Sequence, residues 1–341
     1  SKSEVAYEPT DEIGFSVVAG NITKAPVSGA VFPEDLHMYV NAYVHQTTLP
    51  TTPDYISNGE FAHRNGTIWG GVNPYYWPNE QTLHFSGFSK SGNATNANAS
   101  YNPSTDVLTI TGYQPGVGTG LGANDLMWFP STKYTAGKAN GYDKNTTYVT
   151  ANLYHTCSWI TFMVQGDETT GSSTSTYAIT SLTINGIDVT ADVTCTGNAA
   201  LANTNLSTYV VWSNNTAADS NYPVTISSGA LANTFSKVDD TVTRTPKNIE
   251  TAATTTTGGN IVVIPQLPGS INIAWTYNSS TGTSISDSAT GLSLKLNDGN
   301  TLKWEPGKHY VYTITLGANE ILISPAPVEW VDGTPGNITV E

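Results

Sequence analysis

The sequence predicts an all-β protein, arranged as two tandem antiparallel β-sandwich domains. Three observations carry this. Short runs of β-branched and aromatic residues alternate with polar ones at period two. Gly, Pro and Asn punctuate the gaps between them, with 31 Gly and 18 Pro in 341 residues. No stretch of a dozen residues sustains a 3.6-residue apolar repeat behind a helix cap. A chain of 341 residues is long for one sandwich and comfortable for two.

The elements follow in order. "IGFSVVA" alternates with Ile13, Phe15, Val17 and Ala19 on one face and Gly14, Ser16 and Val18 on the other. A long connection, "GNITKAPVSGAVFPED", separates it from "LHMYVNAYVHQ", where Leu36, Met38, Val40 and Ala42 share a face. Further strands are expected near 55–62, 66–70, 82–89, 106–112 and 125–129. The aromatic knot Tyr75-Tyr76-Trp77 runs into Pro78 just before the strand "LHFSGFS". Such a knot is either a ligand platform or a sandwich corner. Residues 131–147 lack alternation and carry turn chemistry, so the domain boundary is expected there, dividing the chain into 1–142 and 143–341.

Beyond it, "YVTANLYHTCSWITFMV" places Val149, Ala151, Leu153, His155 and Cys157 in one phase and Ile160, Phe162 and Val164 in the other. A change of phase at Ser158 predicts a β-bulge or bend. Later strands are expected at 177–187, 208–213, 222–227, 260–265, 270–277, 291–296, 308–316 and 320–324. Residues 239–259, rich in Thr, read as a connection.

Charge narrows the function. With 27 acidic against 13 basic residues the net charge is −14. No clustered basic face exists for nucleic acid, and attraction to anionic lipid is disfavoured. No apolar run has the length of a transmembrane helix. The composition is that of an exported protein, which implies a leader removed ahead of Ser1. Cys157 and Cys195 fit no metal spacing. They are either a disulfide, closing a loop of about 39 residues worth roughly 3–4 kcal/mol, or two buried thiols acting as small apolar groups.

Searches for chemistry return little. "GVGTGLGAN" has glycines but no Lys-Ser/Thr, and no helix follows it. The histidines at 37, 45, 63, 84, 155 and 309 show no metal spacing. No G-x-S-x-G elbow occurs, and paired carboxylates such as Asp239–Asp240 fall in the polar connection. No catalytic residue, metal or cofactor is expected. The aromatics are the remaining candidates: Trp69, Tyr75, Tyr76, Trp77, Trp128, Trp159, Trp212, Trp275, Trp304 and Trp330 either stack on sugars or pack the sandwiches.

Several stretches, taken in order, resemble one family. They are "EIGFSVVAGNITKAP", "LHMYVNAYV", "NGTIWGGVNPYYWPNEQTLHFSGFS", "VTANLYHTCSWITFMV" and the ending "LKWEPGKHYVYTITLGANEILISPAPVEW". Together they are similar to the fimbrillin-like proteins of Bacteroidales, the subunits of type V pili. The resemblance implies transthyretin-like sandwiches and export as a lipoprotein to the outer membrane. It further implies removal of an N-terminal strand by protease before polymerisation with other pilus subunits, of the same or another kind. On this view Trp77 is a corner residue, and the strand of Ile13, Phe15 and Val17 is displaced after a cut near Lys24. An exposed groove of that kind seeks a new strand. The C-terminal segment, alternating at Val328 and Trp330 and again at Ile338 and Val340, is one expected donor; an ordinary last strand of its own domain is the other reading. "DTV" and "DSA" are similar to O-glycan acceptor patterns, with Thr241 and Ser288 as the modified residues. Receptors on host or bacterial surfaces are further expected partners. The rival expectation is a surface carbohydrate-binding sandwich that does not polymerise, and its mark would be an exposed Trp.

Overall fold

The computed structural model of the chain describes residues 11–19, 34, 36–89, 98–115, 125–131, 141–166, 177–198, 200–202, 205–216, 219–224, 230–231, 235–238, 241–249, 261–278, 282–294, 303–316, 320–323 and 328–329. The first nine strands are β1 (Gly14–Ala19), β2 (Met38–Val44), β3 (Ile56–Asn65), β4 (Ile68–Gly71), β5 (Leu83–Ser89), β6 (Ala99–Asn102), β7 (Val107–Tyr113), β8 (Met127–Phe129) and β9 (Val149–His155). Then come β10 (Ser158–Gly166), β11 (Tyr177–Ile187), β12 (Thr190–Thr196), a one-turn helix α1 (Leu206–Tyr209), β13 (Val210–Thr216), β14 (Asp219–Val224), β15 (Ala230–Leu231), β16 (Phe235–Val238) and β17 (Thr241–Arg244). The last are β18 (Lys247–Asn248), β19 (Ile261–Val263), β20 (Ser270–Asn278), β21 (Ser284–Ser293), β22 (Lys308–Leu316), β23 (Glu320–Ile323) and β24 (Val328–Glu329). The all-β expectation holds.

Seven strands close into a barrel in the order β1-β4-β3-β2-β5-β8-β9, sealed where β9 meets β1. That seam is parallel, whereas the barrel's other pairs are antiparallel. Inside sit Ile13, Phe15 and Val17 of β1 and its lead-in, with Val40, Phe61, Trp69 and Phe85 among their neighbours in the core. A four-stranded sheet, β13-β12-β7-β6, contributes to a second apolar layer. There Tyr43, Phe88 and Trp128 join Leu108, Ile110, Val193 and Val210. All seven residues of β5 are therefore buried, because Leu83 and Phe85 line the barrel while Phe88 joins the second layer. A third core lies between the sheet containing β18, β10, β22 and β23, to which β19 and β24 add, and the sheet β14-β11-β20-β21, to which β15 adds. Ile160, Phe162, Val164 and Tyr312 meet Ile184, Ile271, Ile273 and Trp275 there.

Three expectations change. The phase shift at Ser158 is no bulge: β9 ends at His155 and β10 starts at Ser158 in another sheet. Side chains on two different sheets need share no phase. Pairing also crosses the boundary expected at 142/143, since β9 closes the first barrel and β12 pairs with β7. Lastly, β17 and β18 lie within the segment 239–259 that reads as a connection. Four strands, β6, β12, β15 and β16, lie where the sequence reading places none.

Two residues, Thr156 and Cys157, make the crossing, and both are fully buried. The hydroxyl of Thr156 donates to the Leu126 carbonyl at 2.7 Å, and its own carbonyl accepts from Trp212 Nε1 at 2.7 Å. The backbone N–H of Gly307 donates to the Cys157 carbonyl at 2.8 Å, and the Ser158 hydroxyl to the Glu305 carbonyl at 2.7 Å. Leu126, Trp212, Glu305 and Gly307 thus bond to the joint, which satisfies buried backbone groups that would otherwise cost about 1–3 kcal/mol each.

Candidate functional site

The slot occupied by β1 is the site the fold singles out. Alternation puts Ile13, Phe15 and Val17 inward, and each is almost fully buried. The ring of Phe15 meets three others edge-on, Phe61, Phe85 and Phe129, with centroids 4.9, 5.3 and 5.8 Å away. Edge-to-face contacts of this sort add about 0.5–1.5 kcal/mol each beyond area burial. On one side β1 pairs with β4, placing Gly14 opposite Gly70 and Phe15 opposite Trp69. On the other it runs along β9 from Phe15 beside Val149 to Ala19 beside Leu153.

The aromatic knot holds the entrance to this slot. The N–H of Ile13 donates to the Tyr75 carbonyl at 2.7 Å, and that of Trp77 to the Asp11 carbonyl at 2.9 Å. Tyr75 stacks on Phe61 at 5.6 Å and Trp77 meets Phe85 edge-on at 5.7 Å. Tyr76 stays exposed, its carbonyl accepting from the Tyr55 hydroxyl. The knot packs as a corner: it moors the first strand. Withdrawing β1 would uncover the edges of β4 and β9 and a trough of apolar side chains. Burial of Ile13, Phe15 and Val17 stabilises the closed barrel by about 5–9 kcal/mol, at roughly 1.5–3 per side chain.

The remaining sequence candidates scatter. Trp69, Trp128 and Trp304 are fully buried and Trp77 and Trp275 nearly so, while Trp159 and Trp212 are half-buried. No described Trp is exposed. Cys157 and Cys195 are free thiols in one apolar cluster, and burial pushes both thiols well above their ordinary range. The histidines pair off separately. His37 bonds Glu60 at 2.5 Å, the buried His155 bonds Asp125 at 2.5 Å, and His45 meets His84 at 2.8 Å. His309 stacks on Trp159 at 3.3 Å, and burial lowers its pKa to about 3. Among the described residues no group of three or more His, Cys, Asp or Glu is placed to hold a metal. Ser288 is exposed on β21, and Thr241 opens β17. The backbone of Val328 pairs with His309 as part of β24. Lys24, Trp330, Ile338, Val340 and the glycine-rich 116–124 lie outside the described residues. Sequence reasoning missed the knot's role as an anchor; its only signal was that the chain runs from three aromatics into a proline.

A barrel closed by one enclosed strand, moored by an aromatic corner, defines a class of all-β structural protein. The chain matches the fimbrillin-like family over residues 23–329 and belongs to it, a family of non-enzymatic proteins. Among solved structures it is similar to a fimbrial protein from Bacteroides vulgatus, at 14% identity and a TM-score of 0.56, covering 94% of this chain and all of that one. A candidate cell adhesion protein from Bacteroides uniformis aligns at 12% identity and a TM-score of 0.46, over 94% of this chain and 99% of its own. A fimbrial assembly protein from Parabacteroides distasonis aligns at 12% and 0.34, over 91% and 93%. At these identities the first is a likeness of fold. No curated protein matches the chain.

Proposed function

We propose that the chain is a surface-exposed subunit or adhesin of a type V pilus, assembled by donor-strand exchange. A protease cuts the connection after β1, at Lys24; β1 leaves; a neighbouring subunit's strand enters the vacated slot. The observation that carries this reading is the position of β1, buried on its inner face and hydrogen-bonded on both edges. A slot so built is empty and adhesive once its strand is gone.

For the incoming strand, the C-terminal segment with Ile338 and Val340 is the candidate within this chain. Residues Val328 and Glu329, at its start, already pair with β22 in their own sheet. Surface display through a removed lipoprotein leader, and glycosylation at the exposed Ser288, belong to the same proposal. The burial of the described Trp side chains weighs against the carbohydrate-binding rival.

The test is incubation of the full chain with a trypsin-like protease. The expected outcome is a ladder of SDS-resistant oligomers, with mass spectrometry showing a new N-terminus after Lys24. Cleaved protein that stays monomeric would overturn the exchange mechanism.

A further inference from the structure

We infer that the slot of β1 selects its replacement by sequence, taking from a different subunit a strand with an aromatic ring at the register of Phe15, aliphatic side chains two positions before and after it, and a small residue directly ahead of the ring. This rests on the strand-exchange reading above and adds to it the chemistry of the partner.

The aromatic requirement follows from the three ring edges around Phe15. An aliphatic side chain there loses the edge-to-face contacts and leaves a void that the closed barrel cannot collapse to fill. The aliphatic requirement follows from Ile13 and Val17, which are as deeply buried as the ring. The small residue follows from Gly14, where an added Cβ would lie 3.0 Å from Tyr148 Cδ1 and a branched side chain would have to displace that ring. Ser16 is half-buried, its hydroxyl 3.4 Å from that of Thr67, so a polar residue belongs there.

Register is fixed as well. The N–H of residue 13 reaches the Tyr75 carbonyl and that of residue 17 the Thr67 carbonyl. A slip by one residue would turn the apolar face outward. A slip by two would set a different side chain among the rings.

The molecule contains a second instance of the same pattern. In β10, Ile160, Phe162 and Val164 repeat Ile13, Phe15 and Val17 at the same spacing, all three buried. Like β1, β10 lies between a parallel neighbour, β22, and antiparallel ones, β18 and β19. Here too the central ring packs on an aromatic, Tyr312 at 5.7 Å. The environment and the pattern recur together.

The chain's own C-terminal residues meet this requirement poorly. With Ile338 at the register of Phe15 and Val340 at that of Val17, Gly336 falls at the register of Ile13, and no ring enters the slot. With Trp330 at the register of Phe15 a ring enters, but Glu329 falls where a small residue is needed and Asp332 at the aliphatic position of Val17. That mismatch is why the partner is a different subunit.

The experiment uses the full chain with one added protease site in the connection after β1, cut and then mixed with fluorescent peptides. The first peptide is Ile-Gly-Phe-Ser-Val-Val-Ala; others carry Phe15→Ala, Phe15→Leu or Gly14→Val, and the last is the C-terminal Gly336–Glu341. The first peptide is expected to displace β1. The Phe15→Ala peptide should bind roughly 100-fold more weakly or worse, with the Phe15→Leu and C-terminal peptides between them. Equal uptake of all the peptides would overturn the selectivity and leave strand exchange standing. Uptake of none would overturn strand exchange itself, and the selectivity with it.

Discussion

Strands β1 and β10 share one pattern, Ile-x-Phe-x-Val, and one setting between a parallel and an antiparallel neighbour. They differ in how the chain enters and leaves them. From β1 the chain runs 18 residues, 20–37, before β2 begins. Into β10 it arrives from β9 through Thr156 and Cys157 alone, both buried and hydrogen-bonded. β10 also has the longer parallel seam, eight paired positions with β22 against five between β1 and β9. On the strand-exchange proposal, the same side chains thus serve a strand that one cut would release and a strand that no surface cut at its entry can reach. Removability is a property of the connection, and the strand's own hydrophobicity does not determine it.

The largest expected effect breaks the symmetry of the pair. Phe15→Ala and Phe162→Ala should each cost roughly 3–5 kcal/mol in urea unfolding, as buried ring deletions do. Cutting the connection after β1 separates them: the nicked Phe15→Ala protein should lose its first strand in mild denaturant, while nicked Phe162→Ala keeps both. Equal retention of β1 in both nicked variants would show that the barrel does not depend on Phe15.

A smaller effect distinguishes the two regions by pH. His309 lies beside β10, and burial holds its pKa at about 3. The unfolded chain binds a proton there below about pH 6.5, whereas the folded chain does not. Stability from this group is therefore complete above pH 6.5 and falls as the pH drops toward 3. The slope is at most roughly 1.4 kcal/mol per pH unit. His309→Gln should flatten the urea midpoint across that window, and an unchanged slope would remove His309 from the account.

Smallest is the joint. Gly307 has φ +67°, and a Cβ there would lie 2.5 Å from Leu206 Cδ1. Gly307→Ala should cost roughly 1–2 kcal/mol, since the strained backbone matters more than the displaceable methyl. Thermal unfolding measures it. A neutral result would mean that the turn relaxes without disturbing the bond to Cys157.

How much of this was legible depended on period and distance. The alternation of Ile13, Phe15 and Val17 is a local signal, and it located the first strand. The alternation in β12 is just as regular, Ala191, Val193 and Cys195, but two of the three side chains are small, with Asp192 and Thr194 between them. β6 is four residues long, too short to show a period. β21 is mostly exposed on both faces, so most of its length carries no apolar rhythm. The parallel seam between β1 and β9 joins residues more than a hundred positions apart, and nothing in either segment announces it. For the same reason the shift of phase at Ser158 was visible while its meaning, a change of sheet, was not.

The parallel seam has a mechanical consequence. A strand lying beside β9 shares its axis with a segment that continues, through two clamped residues, into β10. Tension drawn along that axis tries to slide the two strands past one another, so the hydrogen bonds of the seam share the load and yield together. A perpendicular pull would open them one at a time. The geometry that closes the barrel is thus also the one in which β1 best resists being drawn out along its own axis.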